Sequence, residues 1–187
     1  MSVRGVDGAT LIAIAREAIE ERLGEARFGL RHEPWLLDSA ATFVTLRRAG
    51  ELRGCIGSIE PRRALGDDVA HNARAAAFHD PRFPPLERGE LADLEVEVSL
   101  LSPRSPLPAA SESEAVAQLR PGIDGVYLEY GNASATFLPQ VWEQIPDPLQ
   151  FLAELRRKAE LPRRFWHPDL RLTRYTVEKF CDERPGS

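Results

Sequence analysis

The chain has 187 residues, of which 43% are hydrophobic and 28% are charged, and its formal net charge is -5 at pH 7. This length and composition are typical of one globular domain, so we expect residues 1–187 to form a single domain. The negative charge disfavours a protein that wraps nucleic acid, and no apolar run approaches the roughly 20 residues of a membrane-spanning helix.

The first half of the chain predicts two helices around a β-hairpin. Apolar residues at a spacing near the helical period indicate a helix over 7–23, and high helix propensity indicates another over 62–80. Between them, alternating apolar residues indicate a hairpin from Ala41 to Ile59 that turns at residues 48–50. The prolines of the segment 80–86 then end the second helix, because proline cannot continue it.

The second half predicts four strands and two helices. Residues 93–103 alternate as a half-buried strand, and a loop and a short helix follow it. A second hairpin from Gly125 to Phe137 turns at Gly131 and Asn132, and residues 146–161 indicate a helix. Alternation over 170–183 predicts one closing strand at a sheet edge. This order of elements predicts an α+β fold, mainly an antiparallel sheet that both hairpins join, with flanking helices.

One strand of the first hairpin places Cys55 between Gly54 and Gly57. In a regular strand Arg53, Cys55 and Gly57 share one face, and a neighbouring guanidinium favours the thiolate form of a cysteine. Glycine leaves the main chain open to a ligand or to a second chain segment. The functional interpretation is therefore a reactive or ligand-facing cysteine. The alternative is a buried cysteine that fills space in the core.

The segment 80–86 offers partners for such a cysteine. A catalytic cysteine needs a base, and His79 leaves its helix beside Asp80, which could orient an imidazole. His71 is better explained as a solvated helix residue. Asp80 and Arg82 could instead form an ion pair that fixes the turn, and Arg82 could also present its planar fork to a carboxylate or phosphate.

No metal or cofactor is expected from the sequence. The histidines and cysteines lack metal-ligand spacing, and no glycine-rich phosphate loop is present. Cys55 and Cys181 lie far apart without a CxxC pattern, and the first residues lack the apolar core of a signal peptide. A reduced, cytoplasmic setting is therefore expected, and a disulfide is the less favoured interpretation.

Four segments that occur in order carry a family resemblance: LRGCIG at 52–57, DPRFPPL at 80–86, EVSLLSP at 97–103 and ATFLPQVW at 135–142. Over nearly its whole length the chain resembles the AMMECR domain family, called AmmeMemoRadiSam system protein A in prokaryotes. The resemblance implies one compact domain of two unequal lobes, with the LRGCIG motif lining a cleft. It also implies genes for a Memo-like protein and a radical S-adenosylmethionine enzyme nearby, but it supplies no reaction.

The resemblance implies a candidate site in the two motifs 52–57 and 80–86. The ligand- or partner-binding candidates are Arg53, Gly54, Gly57, Asp80 and Arg82, and the candidate catalytic residue is Cys55. The expected function is an accessory or binding module that docks a Memo-like protein, a radical S-adenosylmethionine enzyme, a small molecule or a peptide. The alternative is a hydrolase or transferase with Cys55 as nucleophile. A nucleic-acid-linked regulator is disfavoured, because the chain lacks a basic excess.

Overall fold

The computed structural model describes residues 5–25, 27, 29, 31 and 33–182. These residues divide into two compact units of unequal length, the first up to Leu101 and from Glu178 on, the second over 102–177. Each unit contains a four-stranded sheet. The predicted α+β class, with antiparallel strands and flanking helices, is confirmed. The expectation of a single domain stays a prediction.

Unit 1 contains two α-helices and a sheet with the strand order β10-β5-β2-β3. Its α-helices are α1 (Gly8–Arg22) and α2 (Leu65–Phe78), and two 3-10 helices span Pro34–Leu37 and Arg88–Asp93. The sheet strands are β2 (Thr42–Arg48), β3 (Glu51–Gly57), β5 (Leu94–Leu101) and β10 (Val177–Cys181). A separate short pair joins β1 (Ser39–Ala40) to β4 (Arg63–Ala64).

The core of unit 1 lies between the helices and one face of this sheet. Alternate residues of β2 and β5, such as Val44, Leu46 and Val98, are fully buried with the apolar stripes of both helices. Residues on these strands alternate between faces, so Thr45, Glu97 and the other intervening residues lie on the opposite face. The sheet therefore has one aliphatic face and one face that is mainly polar.

The first hairpin is confirmed as β2 and β3, with one irregularity that alternation did not predict. Leu46 pairs with Gly54 but Arg47 pairs with Leu52, which leaves Arg53 as an extra residue in a β-bulge. The turn residues Ala49 and Gly50 have φ angles of 52° and 79°. The bulge interrupts the simple alternation that would place Arg53 on the same face as Cys55.

The two glycines of β3 have different neighbours within unit 1. A Cβ on Gly54 would lie 2.2 Å from the carbonyl oxygen of Ala76, so glycine allows β3 to approach the backbone of α2. A Cβ on Gly57 would lie 2.2 Å from the ring of Phe43 on the paired strand. The second chain segment that the sequence allowed at Gly54 is therefore α2 itself.

Unit 2 has the strand order β6-β9-β7-β8 and two helices. Its strands are β6 (Ser105–Pro106), β7 (Gly125–Tyr130), β8 (Ala133–Phe137) and β9 (Arg171–Tyr175). Its helices are α3 (Glu112–Gln118) and α4 (Pro148–Lys158), with a 3-10 helix at Pro139–Glu143. In its core the rings of Trp142 and Phe151 stack with centroids 3.8 Å apart.

Three details of the sequence prediction are corrected. The two hairpins belong to separate four-stranded sheets and do not join one sheet. The helix predicted over 62–80 begins at Leu65, because Arg63 and Ala64 pair with β1. The closing strand is two strands, because Thr176 leaves the ladder and bonds through its main chain to Ser102. Of these strands β10 lies at a sheet edge, β9 lies inside its sheet, and Glu183 falls outside the described residues.

Among the described residues, no helix combines the length and the apolar character that a membrane span requires.

The contact at Gly54 predicts a large cost for the smallest possible side chain. Gly54→Ala should lower the free energy of unfolding by about 2 kcal/mol, because the nearest obstacle is helix backbone that cannot rotate away. Urea denaturation would measure this. The matched control is Gly89→Ala, where an added Cβ has no atom within 4 Å and the expected change is within about 0.5 kcal/mol. Equal stability of the two variants would contradict the close packing of β3 on α2.

Candidate functional site

Strand β3 has a free outer edge, because only β2 pairs with it in the four-stranded sheet. The Ser58 amide donates to the Thr42 carbonyl oxygen at 2.8 Å, and Cys55 is directly opposite Thr45. Main-chain bonding alternates along an antiparallel pair, so the N–H and C=O of Cys55 point away from β2. Cys55 therefore presents a main-chain donor and acceptor that need partners from elsewhere.

The segment that follows α2 supplies both partners. The Asp80 carboxylate accepts the Cys55 amide at 2.9 Å, and Nη2 of Arg82 donates to the Cys55 carbonyl oxygen at 3.3 Å. Arg82 also donates from Nε and Nη2 to the two carboxylate oxygens of Asp80, at 3.0 and 2.7 Å. We call Asp80, Arg82 and the Cys55 main chain the edge clamp. It closes the strand edge with two side chains where a further strand would otherwise pair.

The charges of the edge clamp stabilise one another. The Asp80 side chain is 2% exposed, and hydrogen bonding from Arg82 holds the pKa of Asp80 well below its usual range, with a smaller contribution from the Cys55 amide. Burial opposes this effect but does not cancel it. The same pairing raises the pKa of Arg82. Asp80 is therefore an ionised, buried acceptor.

Arg53 is held by a second carboxylate. Its Nε and Nη2 donate to the Glu90 carboxylate at 2.8 and 3.0 Å, and its Nη1 donates to the carbonyl oxygen of Pro84 at 3.0 Å. The hydrogen bonds that Arg53 donates to Glu90 lower the pKa of Glu90 and raise the pKa of Arg53. The guanidinium that the sequence placed beside the Cys55 thiol thus bonds to Glu90 and to the loop after Asp80.

The Cys55 side chain is half-buried and lies beside a hydroxyl. Its Sγ is 3.3 Å from Oγ1 of Thr45, the residue opposite it on β2. In the described part of the chain, neither His71 nor His79 forms a hydrogen bond with this thiol. Both oxygens of Asp80 accept bonds from Cys55 and Arg82. The His79–Asp80 arrangement considered from the sequence is therefore not formed.

The row through Cys55 continues across the polar face of the sheet. Thr45 is opposite Glu97 as well as Cys55, and Glu97 lies 3.6 Å from Nζ of Lys179 and 3.9 Å from Sγ of Cys181. Burial and the Glu97 carboxylate raise the pKa of Cys181. A thiol, a hydroxyl, a carboxylate and an ammonium group thus follow one another across the four strands.

A buried polar network anchors the other end of β3. The Asp68 side chain on α2 is fully buried, and one oxygen accepts from the amide and hydroxyl of Thr42 at 2.9 and 2.8 Å. Its other oxygen accepts from the Ser58 hydroxyl at 2.8 Å, and Asn72 donates to the Thr42 carbonyl oxygen at 3.0 Å. Ser58 directly follows the LRGCIG motif, so this network fixes where the motif ends.

The structure brings together most of the residues that the sequence proposed. Arg53, Cys55, Asp80 and Arg82 are linked by hydrogen bonds and by the carbonyl oxygens of the 80–86 loop. The space beside Gly54 and Gly57 on their two faces is filled from within the chain. Sequence reasoning missed Glu90, Thr45 and Asp68, and no local spacing connects Glu90 with an arginine 37 residues away. The predicted cleft, the binding roles of the five candidates and the catalytic role of Cys55 stay predictions.

The described residues contain no group of three or more His, Cys, Asp or Glu side chains placed to hold a metal ion.

These features define a class of α+β protein in which a glycine-flanked cysteine lies on an edge strand closed by an Asp-Pro-Arg-Phe loop. The AMMECR1 family model matches residues 12–180, and the chain belongs to this family. A protein from Methanothermobacter thermautotrophicus is 40% identical over 183 residues, which cover 95% of both chains. A protein from Thermococcus gammatolerans is 39% identical, covering 95% of this chain and 91% of its own.

A solved structure has a similar fold. The crystal structure of an uncharacterised protein from Pyrococcus horikoshii aligns with a TM-score of 0.81 and 36% sequence identity. The alignment covers 95% of this chain and 92% of the other.

The ionised state of Asp80 predicts a pH-dependent contribution to stability. Asp80→Asn should lower the free energy of unfolding by about 2 kcal/mol at pH 7, because a neutral amide replaces the charged acceptor of the Cys55 amide and of the Arg82 guanidinium. Since the pKa of Asp80 is lowered by folding, its contribution is fully present above the unfolded value of about 3.9. It is lost as the pH falls through the lower folded value, so the difference between the two proteins should shrink below about pH 4.

Denaturant unfolding of both proteins from pH 3 to 8 measures this difference. The control is Asp93→Asn, whose side chain is 64% exposed and which should change stability by no more than about 0.5 kcal/mol at any pH. A wild-type advantage over Asp80→Asn that grows towards low pH would contradict the assignment of Asp80 as an ionised acceptor.

Proposed function

We propose that this chain is an accessory or binding module that acts with a Memo-like protein and a radical S-adenosylmethionine enzyme. In this proposal the partner docks on the surface formed by the LRGCIG motif and the 80–86 loop. The observation that carries it is the edge clamp: Asp80 and Arg82 bond to the main chain of Cys55 and not to its thiol. The charged residues of both motifs therefore serve to hold a loop in place.

The loop held in this way has the composition of a recognition surface. Pro81, Arg82, Pro84 and Pro85 are exposed, and the Arg82 guanidinium lies 5.5 Å from the centre of the Phe83 ring. Arginine and aromatic residues are enriched at the energetic centres of protein interfaces. A loop that is already ordered loses little conformational freedom on binding. These properties favour docking of a protein partner, and the cytoplasmic setting of this complex is part of the proposal.

A charge introduced on the loop should weaken docking. Pro81→Glu places a carboxylate on an exposed position outside the hydrogen bonds of the edge clamp, and binding to the partner should fall by at least about tenfold. Isothermal titration with the purified Memo-like protein and with the radical enzyme of the same organism measures this. The matched control is Pro121→Glu, an exposed proline outside both motifs, which should bind as the unmodified chain does.

Two outcomes would overturn the proposal. One is that neither protein binds the unmodified chain at concentrations up to about 100 μM, a range that includes weak complexes. The other is that Pro81→Glu, with an unchanged circular dichroism spectrum, binds as tightly as the control.

A second candidate function is a hydrolase or transferase with Cys55 as nucleophile. The observation that favours it is the row of Cys55, Thr45 and Glu97, in which a thiol and a carboxylate flank one hydroxyl on the same face of the sheet. The labelling rates of the two cysteines separate the candidates. The binding module predicts that Cys55 reacts with iodoacetamide at pH 7 no faster than glutathione does, whereas an activated nucleophile reacts faster. Cys181 is the internal control, since its raised pKa keeps its reaction slow.

A further inference from the structure

The outer edge of β3 remains open at Gly57, two residues beyond the edge clamp. Gly57 is opposite Phe43, and the bond from the Ser58 amide to Thr42 fixes the alternation of the pair. Residues 54, 56 and 58 therefore bond to β2, while Cys55 and Gly57 direct their main-chain groups outward. At Cys55 these groups are bound by Asp80 and Arg82. At Gly57 no described residue takes the same place.

Arg82 has an unused hydrogen-bond donor near the same part of the β3 edge. Its Nε and Nη2 bond to Asp80 and Cys55, and its Nη1 forms no hydrogen bond with a described residue. The Arg82 side chain is 54% exposed. Because the Cys55 carbonyl and the Gly57 amide follow one another along the same strand edge, the guanidinium bound to Cys55 lies next to the open Gly57 groups.

The free groups specify the chemistry of an occupant. Gly57 offers one donor and one acceptor, which an extended peptide backbone satisfies together by adding to the strand edge. The free corner of Arg82 offers only N–H donors, which a carboxylate accepts. The negative charges of Asp80 and Glu90 nearby are already neutralised by ion pairs with Arg82 and Arg53. An added carboxylate is therefore repelled less strongly by these two acids.

We propose that Gly57 and Arg82 bind an extended segment of a partner protein that carries an acidic side chain. The segment pairs through its main chain with the N–H and C=O of Gly57, and its carboxylate accepts from Nη1 of Arg82. This inference rests on the proposed function and names the chemistry of the docked partner. Glycine at position 57 would then serve two purposes. It leaves room for the Phe43 ring on one face of the strand, and it keeps the strand edge accessible to the partner segment.

A pair of blocked peptides tests the proposal directly. Acetyl-Val-Glu-Val-amide and acetyl-Val-Gln-Val-amide differ only in the charge of the central side chain. In ¹H–¹⁵N NMR titrations of the full chain, the Glu peptide should shift the Gly57 amide and the Arg82 Nε–H signals in a saturable way. It should bind about tenfold more tightly than the Gln peptide, as expected for one charge-assisted pair. Unmoved Gly57 signals, or equal affinities for the two peptides, would overturn the proposal.

Two controls assign the preference to Arg82. Arg82→Gln should remove the preference for the Glu peptide, whereas Arg62→Gln, at a 77% exposed arginine of the same charge, should keep it. If Arg82→Gln does not fold, the two peptides are compared on the unmodified chain at raised salt concentration. Salt screens the charge pair, so the preference for the Glu peptide should then decrease. A preference that persists in folded Arg82→Gln or at high salt contradicts the proposal.

The partner proteins separate this proposal from the docking proposal. Binding of the Memo-like protein or the radical enzyme without any change at the Gly57 amide would overturn the Gly57–Arg82 site and leave the docking proposal standing. Binding of the Glu peptide without binding of either protein would overturn the docking proposal and leave the Gly57–Arg82 site standing.

Discussion

A carboxylate withdrawn from water requires donors, and Asp80 obtains them from the Cys55 amide and the Arg82 guanidinium. These bonds connect the end of α2 to the free edge of β3, and the arrangement of the surrounding loop depends on them. The amide of Leu86 donates to the Ala77 carbonyl oxygen at 2.8 Å, which returns the loop to α2. Arg53 binds the loop carbonyl oxygens from the strand side. The loop is thus bonded both to α2, which it follows, and to β3.

The same constraint explains why the cysteine strand combines glycine with charge. β3 approaches α2 closely enough that only glycine fits at position 54, and this closeness brings the end of α2 within reach of Cys55. A comparable device occurs in unit 2, where Lys158 donates to the Thr136 carbonyl oxygen on β8, also an edge strand. Charged side chains at strand edges oppose uncontrolled pairing with other chains. In this chain such residues also determine which part of the β3 edge remains open.

The local pattern of the sequence was sufficient to predict most helices and strands and the α+β fold class. The hairpin containing β3 and the hairpin that turns at Gly131 follow from alternation and turn chemistry, and four ordered motifs were sufficient for the family. What the sequence could not specify are interactions between residues distant in the chain. The break between β9 and β10 at Thr176 depends on a hydrogen bond to Ser102, and the position of the Arg53 guanidinium depends on Glu90. The bulge at Arg53 shows why counting alternate residues failed to fix its face.

Native-state amide hydrogen exchange at residues 54–58 tests most directly whether Asp80 and Arg82 complete the edge of β3 at Cys55. The Cys55 amide should exchange as slowly as that of Ile56, which bonds within the sheet, while the Gly57 amide on the same edge should exchange much faster. In Asp80→Asn, protection of Cys55 should fall by more than that of Ile56. Cys55 exchange as fast as that of Gly57 in the unmodified chain would contradict the account.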